Sequence, residues 1–233
     1  MSPRNSAAEP TSTDGSSWRE LAVARSLDPA RVRAEKRVQR FLDAALELMQ
    51  GSPDKEFTVQ EVVERSGQSL RSFYQYFAGK YELLLALFEE SVRTTAAHLR
   101  ALVEDEPDPI ERLHRFTVEY YTLCVPGGRS KAGRAALPNP ALNEFSQQLL
   151  TDHPKEASIG FAPLVALTQE LLTAAADAGQ LRKGLDLHRT AGILVQAISF
   201  NTFASTISGT SVKRSPEAAA EDLWQLLFRG LGA

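Results

Sequence analysis

Residues 57–84 read FTVQEVVERSGQSLRSFYQYFAGKYELL, and this stretch decides the fold of the N-terminal part of the chain. Its first signal is Thr58 followed three residues later by Glu61, the spacing at which an N-cap and an acidic side chain satisfy each other's backbone amides. Gly67 then stands where a helix can end, because glycine adopts the left-handed backbone of a C-terminal turn without strain. The pattern predicts a short capped helix that ends in a tight turn.

A second helix is predicted directly after this turn, with Ser69 as its N-cap. Four apolar or aromatic residues at positions i, i+3, i+4 and i+7 predict its apolar face: Leu70, Phe73, Tyr74 and Phe77. Polar side chains predict its other face: Arg71, Ser72, Gln75 and Tyr76. Two short helices joined by a tight turn form a helix-turn-helix, whose second helix enters the DNA major groove.

This pattern resembles the DNA-binding domain of the TetR family of one-component transcriptional regulators. Aromatic, glycine and basic positions at fixed offsets carry the resemblance: Phe57-Thr58-Val59, Glu64-Arg65-Ser66-Gly67, Ser72-Phe73-Tyr74-Gln75-Tyr76-Phe77, and Lys80 with Glu82-Leu83-Leu84. The resemblance covers residues 29–101, and beyond them only chain length and helical character match. Leu70, Tyr76 and Gly79 depart from the residues most common in the family, so the motif does not predict the operator sequence.

The resemblance implies an all-α protein with two domains. Residues 1–28 are expected to form an N-terminal extension that is disordered or loosely docked, and residues 29–79 a three-helix, helix-turn-helix DNA-binding domain. A long helix joins this domain to a helical domain over residues 80–233, which binds an effector and dimerises in the family. Helix 1 is expected to start at Asp28-Pro29, because both residue types are favoured at a helix start.

The resemblance also implies DNA contacts, residue by residue. Leu70, Arg71 and Tyr74 fall where family members contact base edges. Phosphate positions and the predicted cap complete the DNA-binding set: Thr58, Ser69, Ser72, Gln75, Tyr76 and Lys80. Arg71 suits base reading, since an exposed guanidinium makes a bidentate pair with guanine worth about 1–3 kcal/mol of discrimination. Hydroxyl and ammonium groups suit phosphate oxygens, which set register and carry no sequence information.

The composition is that of an ordinary soluble globular chain, with 43% hydrophobic and 24% charged residues. The one cysteine, Cys124, excludes an intramolecular disulfide and favours a reducing cytoplasm. We expect no apolar run to be long enough to span a bilayer, and the first residues lack the basic-then-apolar order of a signal peptide. We therefore predict a cytoplasmic protein without a membrane partner.

The net charge is −3, so DNA binding depends on where the basic residues lie. Residues 31–40 hold five basic side chains and one acid, whereas residues 81–233 hold 14 basic and 18 acidic side chains. Basic charge is therefore concentrated close to the helix-turn-helix in the sequence. Without that motif, the same cluster would be read as the solvated face of a helix.

The sequence contains no recognisable catalytic or metal-binding constellation. Gly128 and Gly133 have the glycine spacing of a phosphate-binding loop, but the lysine and hydroxyl residue that should follow are absent. Glu111 and His114 form a Glu-x-x-His pair, half of a di-iron site, and no second pair occurs. No serine nucleophile elbow is present. We therefore predict no catalytic residue, no metal, no cofactor and no enzyme activity.

The C-terminal part is predicted to be helical. Its helices are expected over residues 109–124, 140–150, 161–178, 187–206 and 216–231. We predict that the last two of these helices form a homodimer interface. The helix over residues 187–206 carries more apolar residues than a one-sided helix needs: Ile193, Leu194, Val195, Ile198, Phe200 and Phe203. The alternative is that this helix is simply a central buried one.

A small, largely hydrophobic effector is the other partner that the resemblance implies. An apolar majority with a few polar groups is the usual make-up of a ligand site. The residues predicted to line it are Phe116, Tyr120, Phe145, Leu149, Phe161, Leu164, Thr168, Leu172, Gln196, Phe200 and Asn201. The two amides matter most, since an amide in an apolar helix needs a hydrogen-bond partner. Each of these residues, taken singly, also reads as plain core.

The leading hypothesis is a sequence-specific, ligand-responsive transcriptional regulator that represses as a homodimer on a palindromic operator in double-stranded DNA. One alternative is an architectural or weakly specific DNA-binding protein, which an Arg71→Ala change that weakens binding to all DNA equally would favour. A second alternative is a helical ligand carrier or enzyme with a vestigial DNA-binding domain. Turnover of a bound compound without any DNA preference would favour that one.

Overall fold

The structure, a computed structural model, describes residues 18–51, 57–125, 140–207 and 215–231. Within these ranges the chain forms nine α-helices and no β-strand, so the all-α prediction is confirmed. The helices are α1 Trp18–Gly51, α2 Val59–Ser66, α3 Leu70–Tyr74, α4 Lys80–Val103, α5 Pro109–Cys124, α6 Pro140–Asp152, α7 Pro154–Asp177, α8 Leu187–Ile207 and α9 Pro216–Leu231.

Residues 1–40 and residues 41–233 form two compact units. The boundary between them falls within the sequence of α1. In the first unit, the basic cluster over residues 31–40 has exposed arginine and lysine side chains, and Arg31 pairs with Glu35 at 3.6 Å. The helix-turn-helix and all later helices belong to the second unit. The domain division expected between residues 79 and 80 stays a prediction.

Helix α1 begins at Trp18 and continues through Pro29. The predicted helix start at Asp28-Pro29 is therefore wrong, and residues 18–28 of the expected N-terminal extension are helical. A proline removes one backbone hydrogen bond from a helix, but the preceding RELAVAR segment consists mostly of strong helix formers. Residues 1–17 lie outside the described residues, as do Gly128, Gly133 and the loop that contains them.

Helix boundaries in the second unit follow the sequence signals closely. Helices α5 and α9 have the predicted bounds, and α4 starts at Lys80 as predicted. The Ser215 hydroxyl caps α9 by accepting a backbone N–H at 3.2 Å. Helix α7 is the exception, because it begins at Pro154 and not at Phe161. Proline suits the first position of a helix, and Gly160 lies inside α7, one residue before the predicted start.

Gly160 allows α7 to approach α4 closely. A Cβ atom at this position would lie 2.5 Å from Cε1 of Phe88, a fully buried ring on α4. The Phe88 ring also meets Phe161 edge-on, with 5.1 Å between ring centroids, and Phe145 of α6 at 6.4 Å. The packing of α4 on α7 therefore favours a residue without a side chain at position 160.

Gly160→Ala is expected to destabilise the second unit, since forcing a methyl group into a filled core costs about 1–3 kcal/mol. The better helix propensity of alanine offsets roughly 1 kcal/mol of this cost. Gly192→Ala is the matched control, because it also lies inside a helix and no atom lies within 4 Å of the added Cβ. It should stabilise the protein by about 0.5–1 kcal/mol. Urea unfolding followed by circular dichroism measures both; equal stabilisation would mean that Phe88 moves aside at no cost.

Helix α7 is central in the second unit and contacts α4, α5, α6 and α8. Its buried residues are Ala157, Gly160, Leu164, Leu167, Thr168, Leu171, Leu172 and Ala175. By length and composition alone this helix would suit a membrane span, so the expectation that no such apolar run occurs is wrong. Its contacts with four neighbouring helices are those of a core helix in a bundle.

The Glu-x-x-His pair of the sequence connects α5 to α9. His114 Nε2 lies 2.6 Å from Glu221 Oε2, and His114 Nδ1 lies 3.4 Å from Glu111 Oε1. The His114 ring also meets Trp224, with 5.1 Å between ring centroids. Hydrogen bonds from Gln225 and from His114 lower the pKa of Glu221. These contacts to Glu221 and Trp224 make His114 a contact between α5 and α9. The described residues contain no group of three or more His, Cys, Asp or Glu side chains that could hold a metal ion.

Cys124 lies at the end of α5 and is 5% exposed. Burial raises the pKa of its thiol to about 12. The thiol is therefore protonated at neutral pH, and the residue packs as a small apolar side chain, as free buried cysteines commonly do.

Candidate DNA-binding and effector sites

Helix α2 begins with the predicted reciprocal cap. The Thr58 side chain accepts the Glu61 N–H at 3.2 Å, and Glu61 Oε2 accepts the Thr58 N–H at 2.8 Å. Both halves of the capping box are present, so the prediction is confirmed. At the other end of α2, Arg65 pairs with Glu47 of α1 at 3.3 Å. These contacts fix where α2 starts and attach it to the helix before it.

The turn after α2 is a Schellman motif. Gly67 has a φ angle of 65°, in the left-handed region that suits glycine. Its N–H donates to the Glu64 carbonyl, and the Gln68 N–H donates to the Val63 carbonyl, each at 3.3 Å. Two carbonyl groups in the last turn of α2 are thereby satisfied, and the direction in which the chain enters α3 is fixed.

Helix α3 is short, and Ser69 is its N-cap as predicted. The Ser69 hydroxyl accepts the Ser72 N–H at 3.1 Å. The Phe77 N–H donates to the Phe73 carbonyl at 3.0 Å, so a helical turn continues past the last residue of α3. Both ends of the segment are therefore held by hydrogen bonds.

Aromatic rings anchor α3 to the rest of the helix-turn-helix. Phe73 is fully buried and meets Phe41 of α1 edge-on, with 5.4 Å between ring centroids. Phe77 is 6% exposed and lies 5.4 Å from the Phe73 ring and 6.2 Å from the Phe41 ring. The three rings form one cluster, and edge-to-face pairs of this kind add about 0.5–1.5 kcal/mol beyond the area that they bury.

Leu70 and Tyr74 lie on the outside of α3, with 43% and 57% of their surface exposed. The predicted apolar face of α3 is therefore buried only in part, at Phe73 and Phe77. A helix of this length contacts its neighbours along one line, which Phe73 and Phe77 occupy. Side chains on either side of that line remain in solvent, so two large apolar groups are available for another molecule.

Most of the predicted DNA-binding residues lie on the accessible surface of the helix-turn-helix. The exposed ones are Thr58, Ser69, Leu70, Arg71, Tyr74 and Gln75, and Tyr76 is half-buried. Arg71 forms no ion pair with a residue in the described ranges, so its N–H donors are available to a partner. Two members are placed differently. Ser72 Oγ is buried without a hydrogen-bond partner among the described residues, and Lys80 Nζ lies 4.8 Å from the centroid of the Phe57 ring.

Thr58→Ala is expected to destabilise the helix-turn-helix by about 1 kcal/mol, because the Glu61 N–H loses its acceptor. Thr58→Ser keeps the hydroxyl and should retain most of that stability. Hydrogen exchange of the amides in the first turn of α2 measures the effect locally. If the two variants were destabilised equally, the hydroxyl cap would not be what holds the start of α2.

A cleft of about 910 Å³ lies between α6, α7 and α8. Helix α7 lines it with apolar side chains such as Phe161 and Val165, and α8 does so with Val195 and Phe200. Its polar lining residues are Gln147, Thr151, Ser158, Gln169, His188, Arg189, Gln196 and Ser199. A concave site with an apolar lining and a few polar groups is the usual form of a small-molecule site.

The predicted effector contacts divide between this cleft and the core behind it. Phe161, Gln196 and Phe200 line the cleft. The members that are buried in the core are Phe116, Tyr120, Phe145, Leu149, Leu164, Thr168 and Leu172. Asn201 is exposed, and its Oδ1 accepts the Tyr121 hydroxyl at 3.2 Å. The Tyr120 hydroxyl lies 2.8 Å from Oγ of Ser199, a lining residue, so this part of the core directly supports the cleft wall.

Sequence reasoning missed the polar end of the cleft. His188 and Arg189 lie in the first turn of α8, and His188 Nδ1 is 2.9 Å from Oε1 of Gln169 on α7. These residues come from two helices, and only the packing of the helices brings them together. One signal was available: two adjacent basic residues at the start of a predicted helix, where the helix dipole disfavours positive charge.

Residues 41–87 match the model of the family described as bacterial regulatory proteins, tetR family. They span the end of α1, the helix-turn-helix and the start of α4. This segment of the chain is therefore similar to the tetR family of bacterial regulatory proteins. The resemblance inferred from the sequence is thereby confirmed. Because the family consists of regulatory proteins, the prediction of a DNA-binding regulator of transcription and not an enzyme is confirmed with it.

Solved structures share the fold of this chain. The transcriptional regulator FadR from Bacillus subtilis, in complex with stearoyl-CoA, has a TM-score of 0.61 and 16% identity over 81% of this chain and 96% of that chain. SmeT, the repressor of the Stenotrophomonas maltophilia multidrug efflux pump SmeDEF, has a TM-score of 0.59 and 17% identity over 84% of this chain and 90% of that chain.

A regulatory protein in the tetR family from Rhodococcus RHA1 has a TM-score of 0.56 and 19% identity over 85% of this chain and 98% of that chain. At these identities the similarity establishes only the fold of this chain. No curated protein matches it by sequence.

Proposed function

We propose that this TetR-family regulator is a ligand-responsive repressor that acts as a homodimer on a palindromic operator in double-stranded DNA, in the cytoplasm. The observation that carries the DNA-binding part is the exposure of Leu70, Arg71, Tyr74 and Gln75 on a segment held by caps and buried rings. A reading element has to be held this firmly, because a functional site works only when its side chains are fixed within about 0.5 Å of the productive geometry.

The exposed groups of α3 suit different parts of the operator. Arg71 is proposed to pair with guanine, and Leu70 and Tyr74 beside it suit apolar contact with thymine methyl groups. The remaining members of the predicted DNA-binding set are the cap Ser69 and the phosphate contacts Thr58, Ser72, Gln75, Tyr76 and Lys80. Ser72 can take this role only if its hydroxyl turns out of its buried position. Phosphate contacts set the register of the protein on the duplex and add salt-dependent affinity.

A homodimer is proposed because a helix as short as α3 reaches few base pairs. Ile193 and Phe200 of α8 are 52% and 62% exposed, and Leu226 of α9 is 72% exposed. Exposed apolar surface of this kind marks contact sites when it is contiguous. The rest of the predicted apolar surplus of α8 is buried within the chain: Leu194, Val195 and Ile198. The Phe203 side chain lies outside the described residues.

The cleft between α6, α7 and α8 is the proposed effector site. Phe161 lines it and meets Phe88 of α4 at 5.1 Å between ring centroids. Tyr81, in the first turn of α4, meets Phe145 at 5.8 Å and His153 at 5.1 Å. Helix α4 follows directly on the helix-turn-helix. A ligand that moves Phe161 can therefore shift α4 through the Phe88 contact, and α4 in turn can shift the helix-turn-helix. A coupling of about 1–3 kcal/mol would suffice to release the operator.

The proposal is tested by selecting fragments of genomic DNA with the purified full-length protein and footprinting the enriched sequence. We expect a palindrome whose half-sites lie about 34–36 Å or a multiple of this apart, and two protomers by light scattering. Enrichment without a shared sequence would support the architectural alternative, and a monomer at micromolar concentration would overturn the homodimer. If compounds bind the protein but do not change its operator affinity, the ligand response is overturned. If the protein converts a bound compound and shows no preference for any DNA, the alternative of a helical ligand carrier or enzyme is supported.

A further inference from the structure

We propose that the cleft takes an amphipathic organic acid, with its apolar body on the α7 and α8 walls and its carboxylate at Arg189 and His188. This inference rests on the proposed effector site and names the chemical class of the ligand. The sequence predicted a largely hydrophobic effector, and the structure adds a basic group, while the other lining residues that it describes are uncharged.

The apolar side chains that line the cleft explain why the ligand should have a large apolar body. Phe161 and Val165 on α7, and Val195 and Phe200 on α8, offer rings and branched side chains to the cleft. Smaller residues leave the space between them open: Ala157, Ala162, Ala166 and Gly192. With a volume of about 910 Å³, the cleft is large enough for a long alkyl chain or fused rings.

The charges of the lining residues explain why the ligand should carry a carboxylate. Among the described lining residues none is an aspartate or glutamate, and only Arg189 and His188 carry ionisable side chains. Arg189 forms no ion pair with a residue that the structure describes. The nearest acid along α8, Asp186, caps the helix by accepting the Arg189 backbone N–H at 3.0 Å. A carboxylate in the cleft would therefore meet a guanidinium that no other described acid neutralises.

His188 is oriented to assist. Its Nδ1 lies 2.9 Å from Oε1 of Gln169, which suits an N–H donated to the amide oxygen. The other ring nitrogen, Nε2, is then left for the ligand, and it donates to a carboxylate when the ring is doubly protonated. Both basic residues stand in the first turn of α8, where the backbone amides already give a partial positive charge. An anion bound there relieves this concentration of positive charge, whereas a cation adds to it.

Titration calorimetry of the full-length protein with dodecanoate, dodecanol and dodecyltrimethylammonium tests the proposal, since the three share one alkyl chain and differ in charge. Naphthylacetate tests an aromatic acid in the same way. We expect at least one of the two acids to bind at one site per chain. If dodecanoate binds, dodecanol and dodecyltrimethylammonium should bind at least tenfold more weakly than dodecanoate. Equal binding of dodecanoate and dodecanol, or no binding by either acid, would overturn the proposal.

Arg189→Gln should weaken binding of the acid by about tenfold to hundredfold, the value of a hydrogen bond to a charged group, and leave dodecanol binding unchanged. Arg182→Gln, at an exposed arginine outside the cleft, is the matched control and should change neither. Ala166→Phe should fill the cleft and abolish binding of the acid. An unchanged affinity in both Arg189→Gln and Ala166→Phe would overturn the site.

Operator affinity, measured separately, distinguishes this inference from the proposed function. If the acid binds through Arg189 but leaves DNA affinity unchanged, the site stands and the ligand response fails. If Arg189→Gln or Ala166→Phe converts a dimer into monomers, the cleft is a contact between two copies of the chain, and the inference fails whether or not the protein represses.

Discussion

Phe73→Ala is expected to destabilise the helix-turn-helix by about 3–5 kcal/mol, the usual cost of removing a buried aromatic ring. Phe73 is fully buried and touches both other rings of the anchor, Phe41 and Phe77. Because α3 has only five residues, few other contacts can compensate. Loss of the ring therefore frees α3 from α1, and operator binding should be lost with it.

Two variants make this result specific. Tyr74→Ala removes a neighbouring aromatic residue that is 57% exposed, so it should cost no more than about 1.5 kcal/mol, the value of one ring pair. Phe73→Leu keeps most of the buried volume and should lie between the two. Hydrogen exchange at the Phe77 amide, which donates to the Phe73 carbonyl, measures the stability of this segment without unfolding the rest. If Phe73→Ala exchanged as slowly as the wild type, α3 would be held by something other than this cluster.

The helix-turn-helix was predictable because its signals act over short distances. A cap such as Thr58 with Glu61, or a turn at Gly67, depends on hydrogen bonds between residues at most five positions apart. These interactions form in the same way in any fold that contains the segment. The family resemblance at residues 41–87 and the helix boundaries followed from the same kind of local evidence.

The errors arose where the outcome depends on packing. An apolar stripe predicts which residues can be buried, but the size of the neighbouring surface decides how many are, and Leu70 and Tyr74 stay outside. The start of α7 was predicted at Phe161, but the helix begins at Pro154 and includes Gly160, where the Phe88 ring occupies the space of the missing side chain. Local propensity also failed at Pro29, where α1 continues.

The effector site was only partly predictable for the same reason. Core positions and cleft positions are both occupied by apolar residues, so the sequence does not distinguish them. Leu164 is buried in the core, whereas Phe161 lines the cleft. His188 and Arg189 are basic and could indicate a site for an anion. They can be assigned to the cleft only once the packing of α7 places Gln169 and the apolar wall beside them.

Arg71→Ala is expected to weaken binding to the selected operator by about 5- to 160-fold at each half-site, which corresponds to the roughly 1–3 kcal/mol of a bidentate arginine–guanine pair. A homodimer applies this penalty twice, because the substitution removes the same guanidinium from both recognition helices. Arg71 is exposed and has no ion pair in the described part of the chain, so its removal should leave the fold intact. Arg182→Ala removes the same charge from an exposed position between α7 and α8, and should leave operator affinity nearly unchanged.

The informative measurement compares the operator with scrambled DNA of the same length, over a range of salt concentrations. For Arg71→Ala, affinity for the operator should fall towards that for scrambled DNA, while the salt dependence changes little, because a base contact releases no counterion. Lys80→Ala should instead weaken both DNAs together and lower the salt slope by about 0.9 for each phosphate that the protein no longer neutralises. If Arg71→Ala behaved like Lys80→Ala, the arginine would contact the backbone. The specificity of α3 would then have to come from Leu70 and Tyr74, or from the shape of the DNA.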